Sequence, residues 1–365
     1  MYDFVIVGAG LFGATFAQLA SAAGHKILVV DKNNHIGGNC FTELKNGFHI
    51  HKYGIHIFHT SSDKIWKYIQ RFTEFNHFVN RPKVTYKKNV FSFPINLMTL
   101  NQIWGITTPQ DARRKLDEVK IKCDNPRNLE EWILSQVGQE LYEIFIYGYT
   151  KKQWMKDPKD LPSSIIRRIP IRLTWDDNYF DDTFQGIPKY GYTHMFENML
   201  ANVEVKLGID FIQERECLSR LAKNIVYTGK IDEYFDYCYG DLEYRTLNFD
   251  EHSIDCVDLQ GVAQMNHTDI AIPYTRSIEH RHFTFDLDST KQTIVSYEYP
   301  DEYTRQKTPY YPINDQTNHD LYHRYLHLAK TSNVIFGGRL GSYKYYDMHQ
   351  VIASAFHCWE SKWIT

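Results

Sequence analysis

The chain opens on a unit that fixes its own fold. Phe4-Val5-Ile6-Val7 runs straight into Gly8-Ala9-Gly10-Leu11-Phe12-Gly13, a helix-compatible stretch follows, and a second apolar strand, Ile27-Leu28-Val29-Val30, ends at Asp31. Strand, glycine turn, helix, strand, acid is the order of a dinucleotide-binding βαβ unit. Gly8 permits the tight turn, Gly10 lets backbone approach a pyrophosphate at the helix N-terminus, and Gly13 lets helix and strand pack closely. Asp31, with Lys32 beside it, is placed to accept from a ribose hydroxyl.

A second glycine pair follows in His35-Ile36-Gly37-Gly38-Asn39 and brings more backbone toward the same ligand. An acid, a few polar residues and Gly-Gly resemble the FAD-binding folds of the glutathione-reductase type, the alternative being an ordinary surface turn. The rest of the chain excludes several classes. A net charge of -3 with dispersed Lys and Arg argues against nucleic acid as partner. No window has the apolar length of a membrane span, and the first apolar run is the cofactor strand rather than a targeting segment. Cys40, Cys123, Cys217, Cys238, Cys256 and Cys358 form no C-x-x-C and no framework, which reads as a soluble, cytoplasmic, reduced protein. Four histidines between His49 and His59 lack a further ligand at metal-site spacing, so no metal is expected.

Periodicity divides the remainder. Gly47 to Thr60 reads as extended chain turning at Gly54. Residues from about Ile95 to Ile169 read as helical, with Pro109 opening one helix, Asn128 capping another, and Ile133, Val137, Leu141 and Phe145 marking a single apolar face. Tyr179-Phe180, Gly191-Tyr192, Ile270 to Thr275, Thr293 to Tyr297 and Pro309 to Pro312 read as strands. Asn224 to Gly229 and Asn333 to Gly338 are strands running into glycine turns, so the chain returns to the cofactor domain after long insertions.

The motifs G-x-H-I-F-H-T (from Gly54), V-N-R (from Val79), G-Y-T-x-K-Q-W (from Gly148), D-D-N-Y-F (from Asp176), Y-R-T-L, P-Y-T-R, P-Y-Y-P and G-R-L-G-x-Y-x-Y-x-D-M (from Gly338) are together specific. The chain resembles the bacterial UDP-galactopyranose mutases over essentially its whole length. Ile55 departs from the family pattern, which has proline there. The resemblance implies an α/β fold: an FAD-binding Rossmann-like domain (1–78, about 200–232 and 330–365), an inserted helical substrate or lid domain (about 95–172), and an antiparallel β-sheet domain (about 79–94, 173–199 and 240–329). It implies an isomerase interconverting UDP-galactopyranose and UDP-galactofuranose, or the N-acetyl analogues, through a covalent adduct of the sugar on N5 of reduced FAD, for cell-surface polysaccharide synthesis. An external reductant such as NAD(P)H and a homodimer are implied as well.

Carried over residue by residue, the family's catalytic groups fall on Arg168, Arg276 and His59. Substrate contacts fall on Asn80, Phe145, Tyr149, Trp154, Tyr179, Phe180, Asn266, Tyr310 (with Tyr311 as its rival) and Tyr345. Cofactor contacts fall on Gly8, Gly10, Phe12, Gly13, Asp31, Lys32, Gly38, Asn39, His56, His59, Arg339, Tyr345, Asp347 and Met348. Arginines suit a diphosphate leaving group because its negative charge grows as the glycosidic bond breaks. Arg168, between Pro162 and Pro170, is placed as on a closing lid. Read without the family, Arg276 is a strand residue paired with Glu279 or Glu298, and Phe145 is core. The rival functions are a flavin oxidoreductase on the same N-terminal third, and a nucleotide-binding escort protein without flavin.

Overall fold

The computed structural model describes residues 1–166, 170–284 and 290–363. Arg168 therefore lies outside the described residues. The chain divides into two compact units, residues 1–78, 182–246 and 303–365 in the first and 79–181 and 247–302 in the second. The helical and sheet segments expected as two domains share the second unit. Residues 182–199 and 303–329, expected in the sheet domain, belong to the first.

The first unit is built on a five-stranded parallel sheet in the order Val334–Phe336, Ala222–Tyr227, Tyr2–Val7, Ile27–Asp31, Glu204–Leu207. Tyr2–Val7 lies at its centre, and the two strand-glycine segments read from sequence are the next two strands on one side. Ile27–Asp31 is buried at every position, as a parallel strand covered on both faces must be. The helix Leu11–Ala22 packs on the helix Met348–Trp363, with the Phe16 ring edge-on to Trp359 at 5.5 Å. Val5, Leu28, Val30, Phe211 and Ile225 form the core beneath, each worth about 1.5–3 kcal/mol relative to exposure.

Gly191-Tyr192, read as strand, begins the helix Gly191–Met199. Tyr192, Met195, Phe196 and Met199 are its buried residues, an i, i+3, i+4, i+7 stripe that outweighs the β propensity of Tyr192. Tyr179-Phe180 forms no strand either; its geometry comes from the side-chain anchors described below.

In the second unit the strands run 247–254, Thr293–Glu302, Arg276–Glu279, Gln264–His267, Lys83–Tyr86, Asn89–Ser92. The sheet is mixed rather than wholly antiparallel, because Lys83–Tyr86 pairs in parallel with Gln264–His267. Residues 270–275, read as strand, form the loop before Arg276–Glu279. The carbonyls of Ile272 and Tyr274 turn onto the ammonium of Lys152, and only Thr275 O reaches the neighbouring strand, accepting from His267 N at 2.8 Å.

Thr108 caps the helix Pro109–Val119, with Pro109 in its first turn, and Asn128 Oδ1 accepts from Glu131 N at 2.8 Å to cap Leu129–Tyr142. The apolar face through Ile133, Val137, Leu141 and Phe145 is buried in one cluster. It is not one continuous helix, however. Gly138 leaves helical geometry at φ 76°, and a Cβ there would collide with the carbonyl of Val119. Residues Glu143–Tyr147 then follow as a π-helix, the widened form that recurs at functional sites.

Asn96 is the most heavily bonded cap. It is fully buried, accepts from Thr99 N at 3.2 Å, and donates to Ser92 Oγ and Pro94 O at 3.0 Å each. Asn96→Ala removes the cap and strands two buried acceptors, so urea unfolding should show a loss of about 2–4 kcal/mol.

Candidate active site

In the first unit the glycine turn and the second glycine pair meet. Gly8 has φ +103°, and a side chain there would strike Thr228 Oγ1, which donates to Val7 O at 2.7 Å. Gly37 N donates to Ala9 O at 2.9 Å, and a Cβ on Gly38 would stand 3.1 Å from Gly10 Cα. Two backbones this close leave bare amides facing the cavity, a cradle that any side chain would fill. A Cβ on Gly13 would run into the carbonyl of Gly8, so helix and turn pack backbone to backbone.

Asp31, 6% exposed, accepts from Ala9 N at 2.8 Å through one oxygen and from Asn33 N at 2.9 Å through the other. A carboxylate has about four acceptor positions, so capacity remains for a ribose hydroxyl. The cavity, about 270 Å³, is lined by Gly8, Gly10, Phe12, Asp31, Lys32, Gly38, Asn39, His56, Arg339 and Met348 from the expected cofactor set. Gly13, His59, Tyr345 and Asp347 do not line it. Tyr310, assigned to substrate on sequence, does. Bare amides at a helix N-terminus, a buried acid one strand over, and a lining of backbone and aromatic rings fit the adenosine diphosphate part of FAD.

Around this cavity the ionisable groups are held in fixed states. Burial pushes His56 down to about 4, Arg339 adding to the effect, so the ring is neutral, and its Nδ1 lies 2.8 Å from Gly54 O. Burial pushes the Cys40 thiol up to about 12 against the opposing charge of Arg339, leaving it an unreactive neighbour of the Met348 sulfur at 3.7 Å. Arg339 Nε donates to Tyr346 O at 2.7 Å and its guanidinium lies over the Tyr345 ring. Asp347 N donates to Gln350 Oε1 at 2.9 Å, opening the last helix.

His59 is buried with its Nδ1 2.5 Å from Asp182 Oδ2, and Ser61 Oγ donates to Asp182 Oδ1 at 2.8 Å. Partial burial raises the Asp182 carboxyl, but the bonds from His59 and Ser61 outweigh it and hold the group below the usual carboxylate range. The Asp182 carboxylate thus orients the His59 ring through Nδ1. His349 packs edge-on at 5.1 Å and is itself shifted down by burial and by His59.

The second unit holds the remaining expected residues. Arg276 is cross-strand partner to both Asn266 and Glu298. Its Nε donates to the Tyr149 hydroxyl at 2.8 Å, and its Nη1 lies 3.6 Å from Glu298 Oε2, within ion-pair range though longer than a hydrogen bond. Of the two acids weighed on sequence, Glu298 is the partner; Glu279 is engaged by Leu259 N, Gln260 N and Thr293 Oγ1. Burial raises the Glu298 carboxyl and Arg276 opposes it. Burial pushes Tyr149 up to about 12 against the pull of Arg276, so its hydroxyl keeps its proton.

Asn80, Gln264 and Asn266 form a buried chain: Asn80 Nδ2 donates to Gln264 Oε1 at 3.2 Å, and Gln264 Nε2 to Asn266 Oδ1 at 2.9 Å. Asn80 Oδ1 is buried with no partner among the described residues. An orphaned acceptor is costly in a core and useful where a ligand hydroxyl arrives.

Tyr179 and Phe180 stand edge to face at 4.9 Å, and Tyr179 N donates to Asn80 O. Phe145, at 3% exposure, is enclosed by Phe91 and Phe93, and Trp154 packs on the same core. Phe145 thus has the core position that its periodicity indicated.

Several residues of this site carried no sequence signal. Arg172 is half-buried and bonds to Asn178 O and to Asp181 Oδ1, with Asp176 in ion-pair range, while Arg81 and Lys83 pair with Asp177. The acids of D-D-N-Y-F are therefore tied down, and Tyr179 and Phe180 are positioned between the ties. Gln264 and Asp182 were likewise unmarked, because Gln264 meets Asn80 and Asp182 meets His59 across long stretches of sequence. Thr228 and Lys230 of the cofactor cavity had a signal, the strand-glycine pattern ending at Gly229.

A profile of the UDP-galactopyranose mutase family matches residues 144–345, and a profile of an NAD(P)-binding Rossmann-like domain matches residues 6–72. A dTDP-fucopyranose mutase from Escherichia coli is 37% identical over 98% of this chain and 97% of its own length. A probable UDP-galactopyranose mutase from Klebsiella pneumoniae is 40% identical over 97% of this chain and 92% of its own. The crystal structure of a reduced UDP-galactopyranose mutase superposes with a TM-score of 0.71 at 14% identity, covering 98% of this chain and 95% of that one, a likeness of fold. With a family profile over more than half its length and relatives this similar across nearly all of it, the chain belongs to the UDP-galactopyranose mutase family, flavin-dependent isomerases of nucleotide-sugar metabolism.

Proposed function

We propose that this chain interconverts the pyranose and furanose forms of a nucleoside-diphosphate hexose, with UDP-galactose, or its 2-acetamido analogue, as substrate and reduced FAD as the active cofactor. The E. coli relative named for dTDP-fucopyranose adds a 6-deoxy sugar on a thymidine nucleotide to the candidates. When bound, the flavin supplies a nucleophilic ring nitrogen for the anomeric carbon. The protein's share is to hold the cofactor, seat the diphosphate and favour its departure.

The Tyr149–Arg276 pair carries the reading. Because Tyr149 Oη accepts from Arg276 Nε at 2.8 Å, and the phenol keeps its proton, the O–H is left to donate to a phosphate oxygen. Arg276 brings its positive guanidinium to the same anion, with Glu298 setting its orientation. Both donors strengthen as negative charge collects on the departing diphosphate. Arg168 is the second arginine of this reading. Asn80 and Asn266 take sugar hydroxyls, Asn80 through its orphaned oxygen. Phe180 and Tyr179 offer rings for the pyrimidine, backed by Phe145, and Trp154 lies toward the sugar. Tyr310 and Tyr345 serve whichever ligand reaches them from the first unit.

His59, its ring oriented through Nδ1 by Asp182, is the histidine of this reading that packs on the flavin. Gly8, Gly10, Gly13, Gly38 and Asn39 cradle the pyrophosphate, Asp31 and Lys32 the ribose, and Phe12, His56, Arg339, Asp347 and Met348 the remainder. A homodimer, reduction by NAD(P)H and a role in surface polysaccharide synthesis complete the reading from the family. No helix among the described residues is long and apolar enough to cross a membrane, and all six cysteines are free, which supports a cytoplasmic site.

Chromatography tests the activity. Incubated with dithionite and UDP-galactofuranose, UDP-N-acetylgalactofuranose or dTDP-fucofuranose, the protein should form the matching pyranose from at least one; no conversion of any would refute the proposal. Arg276→Ala should lower turnover by about 100-fold or more while the protein stays yellow, and a colourless variant would mean that Arg276 serves the cofactor. Gly38→Val should give the opposite result, a folded protein whose absorbance near the flavin bands is lost.

A further inference from the structure

Lys152 sits one turn after Tyr149 on the helix Gly148–Trp154. Its Nζ lies 2.8 Å from His267 O, 3.0 Å from Asp269 O, 2.9 Å from Ile272 O and 2.9 Å from Tyr274 O. An ammonium has three N–H groups, so four carbonyls converge on it as dipoles around a point charge. Proteins build this oxygen donor set around potassium. Burial lowers the Lys152 pKa to about 8, with Asp269 opposing, so the ammonium form prevails at neutral pH.

The carbonyls belong to the segment that joins Asn266 to Arg276. The same segment is docked on the helical side twice more: Thr268 Oγ1 donates to Ile144 O at 2.5 Å, and a Cβ on Gly148 would collide with Thr268 O. Where this segment sits decides whether the Arg276 guanidinium meets the Tyr149 hydroxyl.

We propose that Lys152 is a positioning residue whose ammonium fills a cation cage of four backbone carbonyls, that a bare monovalent cation of the potassium class can replace it there, and that the filled cage holds Arg276 against Tyr149. The inference rests on the proposed function only in taking Arg276 as a diphosphate ligand.

Lys152→Ala opens the cage and Lys152→Arg fills it with a planar group that cannot converge four acceptors on one point. The holoproteins are compared in KCl, NH4Cl and LiCl at equal ionic strength, by thermal melting and by calorimetric titration with UDP and with dTDP. In LiCl, K152A should melt lower by about 5 °C or more and bind the nucleotide about tenfold more weakly, with unchanged flavin content. KCl or NH4Cl should restore at least half of both losses in K152A, and neither in the wild type nor in K152R should the cation matter. Wild-type behaviour of K152A in LiCl, equal losses in all three salts, or potassium rescue of K152R as large as that of K152A would overturn the proposal. Should K152A fold only with KCl or NH4Cl, the cage stands; failure to fold in all three salts overturns it. If the wild type binds neither nucleotide, the functional reading fails and the melting curves alone decide the cage.

Discussion

A single carboxylate closes the nucleotide-binding unit. Asp31 stands at the end of the second strand and receives the amide of Ala9, in the turn after the first, so two strands and the turn between them are fixed to one another at 2.8 Å. Everything else in the cradle depends on that closure: Gly8 at positive φ beneath Thr228, Gly37 bonded to Ala9, and Gly38 pressed on Gly10. Because backbone meets backbone there, amides rather than side chains face the cavity. That is the surface an anion of any nucleotide needs.

The second unit solves a different problem, dividing its buried and half-buried cations among phenol, carboxylate and carbonyl partners. Arg276 is shared between a phenol at hydrogen-bond distance and a buried carboxylate at 3.6 Å, and the two together orient the guanidinium. Arg172, Arg81 and Lys83 are used up on the acids of the 176–181 segment. Lys152 is used up on carbonyls. The sequence motifs G-Y-T-x-K-Q-W and D-D-N-Y-F therefore mix residues proposed to meet a ligand with residues whose work is to hold the chain, and residue type alone does not separate them.

How much was legible follows from the range of the interactions. The first βαβ unit, the returning strands 222–227 and 334–336, and the caps at Thr108 and Asn128 are set by neighbours in sequence, and were readable there. Gly191–Met199 was misread from two residues when its period needs nine. The loop 270–275 carries β-branched and aromatic residues, yet Lys152, more than a hundred residues away, claims its carbonyls. The same remoteness hid Asp182 behind His59, whereas Glu279 and Glu298 were both open as partners of Arg276 until their positions in space chose Glu298. Family motifs nominated candidate ligand-facing side chains, but their supporting partners had to be seen in space.

The central claim is that the flavin is held for a ring rearrangement and not for net electron transfer. The direct measurement is the number of sugars converted per reducing equivalent, made by reducing the flavin once under anaerobic conditions, adding the nucleotide sugar, and following product and flavin absorbance together. The account predicts many turnovers per flavin with the reduced spectrum retained throughout. One product per reduced flavin, with the oxidised spectrum returning in step, would contradict it and make this chain an oxidoreductase.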